Sequence, residues 1–344
     1  MRGWATSAVL IVATIAVSSA ASAHHSFAEF NTQRTIEIVG EVTEIRWRNP
    51  HVTAKVAVTN GAGAIESWDL EMESLGMLRR MGVGAEVLNV GDQVRVAGSP
   101  SINGSRSMYA QNILLPSGEE LVTRGAPRYS NRLVGDVNSW AAANGSPAHP
   151  ELGLFRVWST TMASLLTQVA DPAAAPVDPL TLLTPAAQRA IAAFDPVASS
   201  RSIGCNHKGM PRIMQQPDDM AFAQNGEDIL LQIEEYDTVR EIDMSPDADR
   251  TSRPLSTLGY STGAWEGRTL VVTTTNVAEP VTQWALPQSD RIETVERFTP
   301  SEDGSRLDYR LTVTDPTYFN GPLHFAKYWI ALEGAQIDPY DCVE

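Results

Sequence analysis

Basic side chains are scarce in this sequence of 344 residues: 26 Lys and Arg stand against 41 Asp and Glu, a formal charge of −15. No basic cluster interrupts that balance, so no stripe is available to track a phosphate backbone, and nucleic acid is not an expected partner. Cysteine is scarcer still, with Cys205 and Cys342 alone. Long hydrophobic runs are missing with one exception, "AVLIVATIAV" near the start, and that run is too short to span a bilayer. No membrane span is expected in the rest of the chain.

The one apolar run has a purpose that its surroundings explain. Arg2 precedes it and the small-residue close "SSAASA" comes after it, which together make residues 1–23 a secretory signal peptide by pattern. Small residues at Ala21 and Ala23 favour cleavage after Ala23, leaving His24 as the mature N-terminus and a periplasmic or secreted protein. In an oxidising compartment an even cysteine count favours a disulfide, here Cys205 to Cys342. Closing so long a loop is worth about 4–5 kcal/mol in the chain-entropy model.

The mature chain is long enough for two domains with hydrophobic cores. Residues 24–120 alternate apolar and polar positions in "TIEIVGEVTEIRW", "HVTAKVAVTN", "ESWDLEME" and "GDQVRVAGSP", and "MYAQNILLPSG" supplies a fifth strand. "SLGMLRRMGV" predicts a helix between the third and fourth strands, which is the order of an OB-type barrel. Residues 121–150 are rich in turn formers and predict a linker.

Residues 151–204 predict two short helices. "LFRVWSTTMASLLTQVA" spaces Leu154, Val157, Trp158, Met162, Leu165 and Leu166 by threes and fours, and "TPAAQRAIAAF" opens with Thr184 as cap and Pro185 in the first turn. Residues 205–344 return to strands, "DILLQIEEYDTVREIDM", "RTLVVTTTNV", "RIETVERFTP", "SRLDYRLTVTDP" and "LHFAKYWIALE", and predict an antiparallel sheet or barrel of the kind that often encloses an apolar pocket. The expected fold class is therefore mainly β: an N-terminal OB-like small barrel plus a C-terminal antiparallel β sheet or barrel, preceded by two short helices.

The segments "AHHSFAEF", "GEVTEIRWRNPHV" and "GDQVRVAGSP" carry a resemblance. They are similar to a family of small exported bacterial proteins, domain-of-unknown-function family 6152, over residues 24 to 120, most specifically in the leading His-His paired with Asn49-Pro50-His51. The second half, with "GYSTGAWEGRTLVVTTT", "VERF", "LDYRLTVTDP" and "YDCVE", resembles a separate set of exported bacterial sequences. Neither resemblance brings a reaction with it; both imply secretion and a β-rich fold.

Candidate sites come from the residues themselves. A mature N-terminal His24 offers a free α-amine and an imidazole that can chelate one metal together. One more imidazole completes a nitrogen set suited to tetragonal Cu(II). His51 is the expected partner and His25 the alternative, with copper the only cofactor expected. The plain reading beside it is a pair of solvated histidines at a frayed terminus.

"GYSTG" at 259–263 matches the G-x-S-x-G pattern of serine hydrolases, but a nucleophile elbow needs a helix after the serine. Here Glu266-Gly267 reads as a hairpin turn, placing Ser261 on a strand. Asp243, Asp247 and Asp249 read as a solvated turn without the glycine and closing glutamate of an EF-hand. Cys205 and His207 have ligand-like spacing but no second pair.

Glu234-Glu235 are acid/base candidates, as are Asp69, Glu71 and Glu73, whose shared strand face reads most simply as solvated. Trp265, Trp284, Trp329, Tyr318, Phe319 and Tyr328 either line a pocket or fill the core of the second domain. No catalytic residue is assigned. The expected function is an exported binding protein for a small ligand or metal ion; an enzyme or apolar-ligand carrier using the second domain, and a structural envelope protein, are the alternatives.

Overall fold

The computed structural model describes residues 29–136, 149–161, 169–170, 178–194, 207–249, 252–278, 286–332 and 335–340. The first domain is built on β1 (Ile36–Arg46), β2 (Thr53–Thr59), β3 (Ile65–Glu71), α1 (Leu75–Arg80), β4 (Gln93–Pro100) and β5 (Ser107–Leu114). β1 pairs with both β2 and β4, and β3 meets β5 in parallel, which closes a five-stranded barrel in the expected OB order. One strand can serve two neighbours only if it bends. Gly40 stands at the bend, where a Cβ would lie 2.2 Å from the Ala57 carbonyl oxygen, and a bulge between Val42 and Glu44 comes next. Val42, Val52, Val56, Leu70, Met72, Leu78, Val96 and Met108 fill the interior.

α1 begins at Ser74, whose hydroxyl accepts from the Met77 amide at 3.3 Å. Beyond β5 the sheet continues with β6 (Glu120–Val122) and β7 (Leu133–Asp136), inside the stretch that composition alone reads as linker. The buried Glu120 carboxylate holds the loop between them, accepting from the amides of Arg128, Tyr129 and Ser130 and from Asn112 Nδ2. Burial pushes that carboxyl up, but these donors outweigh it and leave it below its ordinary range.

The second domain takes β8 (Val157–Trp158), β9 (Val169–Ala170), α2 (Pro185–Ala192) and β10 to β17: Met220–Asn225, Asp228–Ile233, Thr238–Asp243, Tyr260–Glu266, Thr269–Thr275, Glu293–Pro300, Arg306–Thr314 and Leu323–Ile330. α2 has the expected cap, Thr184 accepting from the Ala187 amide. The helix expected over 154–170 is replaced, in its described parts, by β8 and β9. Its apolar spacing also suits a β-branched edge, and the Met220 and Phe325 strands claim it.

The ten strands run β8-β10-β11-β12-β13-β14-β15-β16-β17-β9, antiparallel except where Ile242 of β12 meets Ser261 of β13 in parallel. Reciprocal backbone bonds between Ser159 and Ile330 bring the first edge round to the last, so the sheet is nearly closed. "DILLQIEEYDTVREIDM" is not one long strand. It folds back at residues 234–237, where Tyr236 and Asp237 take left-handed φ of 56° and 48°, and becomes the β11–β12 hairpin. The β13–β14 turn lies one residue beyond expectation, at Gly267-Arg268, with Gly267 at φ 63°.

Inside this barrel, Phe298, Tyr309 and Trp329 pack ring against ring at 5.0–6.4 Å. Beside them lies a fully buried ion pair. Arg240 is bidentate to Glu296 and also donates through Nε to Ser261 Oγ at 2.9 Å and through Nη2 to Thr274 Oγ1 at 2.6 Å, while Tyr309 donates to Glu296 at 2.9 Å. Replacing one member of such a pair strands the other charge. Glu296→Ala is expected to lower unfolding stability by about 3–5 kcal/mol, read as a shifted urea midpoint, whereas the double replacement Arg240→Met with Glu296→Leu recovers most of the loss.

Candidate functional site

His51 is the member of the expected histidine set that lies among the described residues; His24 and His25 lie outside them, as do Cys205 and Cys342 of the expected disulfide. The backbone of Val52 pairs with that of Met72 and Glu73, which lays the start of β2 along the end of β3. His51 Nδ1 is consequently 2.8 Å from the Met72 carbonyl, and Nε2 is 3.6 Å from Glu71 Oε1. A carbonyl only accepts, so Nδ1 carries a hydrogen and the neutral ring keeps its lone pair on Nε2. Metal-ligating histidines have this arrangement, the non-ligating nitrogen donating to a carbonyl.

The carboxylates next to His51 do not share one solvated face. Asp69 is exposed and Glu71 half-buried, but Glu73 is buried because the chain leaves β3 and turns into α1 there. Burial pushes its carboxyl up, opposed by Tyr109 and by Arg124, which stands 3.9 Å away.

A larger concentration of charge lies where the two domains meet. α1 and the β1–β2 loop of the first face residues 217–219, the 234–237 turn and residues 335–340 of the second. Asn49 is fully buried; its Nδ2 donates to Glu234 Oε1 at 2.7 Å and its Oδ1 accepts from the Leu75 amide at 3.0 Å. Arg80 pairs with Asp219 and donates to the Pro217 carbonyl at 2.9 Å. Arg79 reaches Asp338 at 2.5 Å, and the Asp338 amide donates to Glu234 Oε2 at 3.2 Å. Glu235 holds Lys208 at 2.7 Å.

Four carboxylates therefore sit in two short stretches, each at most 5% exposed. Burial first, then Asp218 and Asp219, pushes the Glu234 carboxyl up to about 8. Burial and Glu235 raise Asp218 to about 6. Asp219 is raised by burial against the pull of Arg80. The cations move the other way: burial lowers Arg212 to about 10, and burial with Lys208 nearby lowers Lys327 to about 7. The Lys327 amine donates to the Met214 carbonyl at 3.1 Å and lies 4.2 Å from the centre of the Trp329 ring. Of these groups, Asp218, Glu234 and Lys327 are moved toward neutral pH.

Of the residues singled out in sequence, Glu234 and Glu235 belong to this seam. Asn49 stands out in sequence only beside Pro50 and His51, and the other partners, Arg79, Arg80, Asp218, Asp219 and Asp338, do not announce themselves. Ser261 is 2% exposed and hydrogen-bonded to Arg240 and Thr274, with its strand leading into a hairpin. Asp243 accepts from Tyr260 Oη and the Ser245 amide, as a turn residue does. Trp329 and Phe319 are core residues, Trp265 is 44% exposed, and Trp284 lies outside the described residues. Among the described residues no three His, Cys, Asp or Glu are grouped to hold a metal, and no helix is long and apolar enough to cross a membrane.

Residues 12–110 match the model of a family of unknown function, DUF6152. Among solved structures the chain is similar to the mitochondrial single-stranded DNA binding protein Rim1 of S. cerevisiae, at 14% identity over 27% of this chain and 98% of that one, with a TM-score of 0.20. No curated protein matches.

Two outcomes are expected from the charges. Arg80→Met removes the buried cation paired with Asp219 and is expected to cost about 3–5 kcal/mol at pH 7; because burial already raises that carboxyl and losing Arg80 raises it further, the cost should shrink as pH falls, which urea unfolding at pH 7 and pH 5 reads. The Lys327 amine is held below its ordinary value, so the stability it costs appears as pH falls from about 10.5 toward 7. Lys327→Met should remove that slope, up to about 1.4 kcal/mol per pH unit, in the same assay.

Proposed function

We propose that this chain is an exported two-domain binding protein, without catalytic turnover, whose OB-like domain holds Cu(II) through His24 and His51. The observation that carries the reading is the His51 ring: its Nδ1 is held by the Met72 carbonyl and its Nε2 is left with the lone pair. Cleavage after Ala23 would give His24 an amine as well as an imidazole, and two nitrogens from one residue plus Nε2 of another form a set that suits tetragonal copper. His25 is the substitute for His51 in a site confined to the terminus.

The test is natively exported protein, with its N-terminal residue sequenced and its metal content measured. The expected result is His24 at the N-terminus and about one copper per chain. His51→Ala, and a single alanine added ahead of His24, should each weaken Cu(II) binding by at least about tenfold in titration calorimetry. Metal-free exported protein, or copper affinity that ignores both changes, overturns the copper reading.

A further inference from the structure

We infer that the seam between the two domains is a proton-controlled clasp, closed while Glu234 carries a proton and loosened when it gives that proton to solvent. The inference is independent of any metal at His51.

Glu234 is the node through which three separate parts of the chain meet. Its side chain accepts from Asn49 of the first domain and from the Asp338 amide of the C-terminal stretch, and its own amide donates to the Asp219 carbonyl at 3.0 Å. It is fully buried, and a Cβ built on Gly76 of α1 would lie 3.5 Å from its Oε1, so the helix is packed directly onto the carboxyl. A Cβ at Gly76 would already be in van der Waals contact with this carboxyl, so side chains longer than alanine have little room there.

The groups that face it decide what ionisation does there. α1 contributes Arg79 and Arg80, and the β1–β2 loop contributes the uncharged Asn49. The 217–219 stretch contributes Asp218 and Asp219, and the turn itself contributes Glu235, Tyr236 and Asp237. Lys208 and Arg212, set against Glu235, come from the stretch before, and Asp338 and Tyr340 from the C-terminal side. The cations are already committed, Arg80 to Asp219, Arg79 to Asp338 and Lys208 to Glu235. A charge on Glu234 therefore meets two hydrogen-bond donors and two neighbouring aspartates, and removal from water is repaid poorly.

Separation of the domains returns the carboxyl to water and to an ordinary value near 4.3. Because the closed seam holds it up at about 8, closure is strongest in acid. It weakens as pH rises between those two values, by up to tenfold per pH unit, and then levels off. The Arg79–Asp338 and Arg80–Asp219 pairs also hold the seam, and they set how far it must be weakened before it parts.

Small-angle scattering of the full exported chain in EDTA, at pH 5 and pH 8.5, tests this. The expected result is a larger radius of gyration at pH 8.5, reversible and with unchanged far-UV circular dichroism. Glu234→Gln should keep the compact form at both pH values. Should that variant fail to fold, Asp218→Asn takes its place, because removing a neighbouring charge shrinks the pH response. The inference is overturned if the wild-type chain scatters identically at both pH values, if the variant expands as the wild type does, or if expansion comes with loss of the β-sheet signal.

Discussion

A guanidinium and a carboxylate sealed inside the larger, nearly closed sheet set the terms for everything around them. Taking each ion out of water costs several kcal/mol, and the cost is offset only when every donor and acceptor is met with good geometry. Meeting them recruits Arg240 from β12, Ser261 from β13, Thr274 from β14, Glu296 from β15 and Tyr309 from β16. Five consecutive strands are thereby fixed in register, since a slip of one residue on any of them would turn its contribution outward. The parallel β12–β13 pair spans just Ile242–Ser261 and Asp243–Thr262, and the Arg240–Ser261 bond crosses it. The serine that looks catalytic in sequence is needed here as an acceptor.

The seam between the domains works under the same rule but meets it less completely. Inside the larger sheet Arg240 and Glu296 answer each other, with Ser261, Thr274 and Tyr309 completing the set. At the seam, Asp218 Oδ1 and Glu235 Oε2 are buried without a hydrogen-bond partner, and carboxylates outnumber the cations set against them. A saturated network is inert to changes in proton concentration over a wide range. An unsaturated one answers to it, and the raised carboxyls of Asp218 and Glu234 lie at the seam.

Much of the architecture is written in period-two alternation. The five strands of the first barrel come from it directly, while its helix comes from the amphipathic stretch after Ser74 and the start of α2 from the capping pair Thr184-Pro185. Residues 154–170 mislead because a spacing of threes and fours in a short apolar stretch does not distinguish a helix from edge strands, and only the partner strands decide. The buried charges are legible after a fashion. Arg240 shares the parity of Thr238 and Ile242, Glu296 that of Thr294 and Phe298, and Lys327 that of Phe325 and Trp329, so three strands carry a charge in the inward register. The seam is not legible in this way. Asn49, Arg80, Asp219 and Glu234 lie in loops, turns and a short helix, and what brings them together is the packing of one domain on the other, which no local pattern encodes.

The bridge between Ser159 and Ile330 bears on how the molecule is assembled. It joins a residue from before the helical segment to the end of the last strand of the barrel, so it is among the most non-local contacts in the fold and carries a correspondingly high entropic cost of closure. Until it forms, the two ends of the sheet, at β8 and at the Ile330 end of β17, each present open peptide groups able to recruit a strand from another chain. A nascent chain would pass through that state with both edges exposed, which makes the two residues of β8 a guard against mispairing as much as part of the finished sheet.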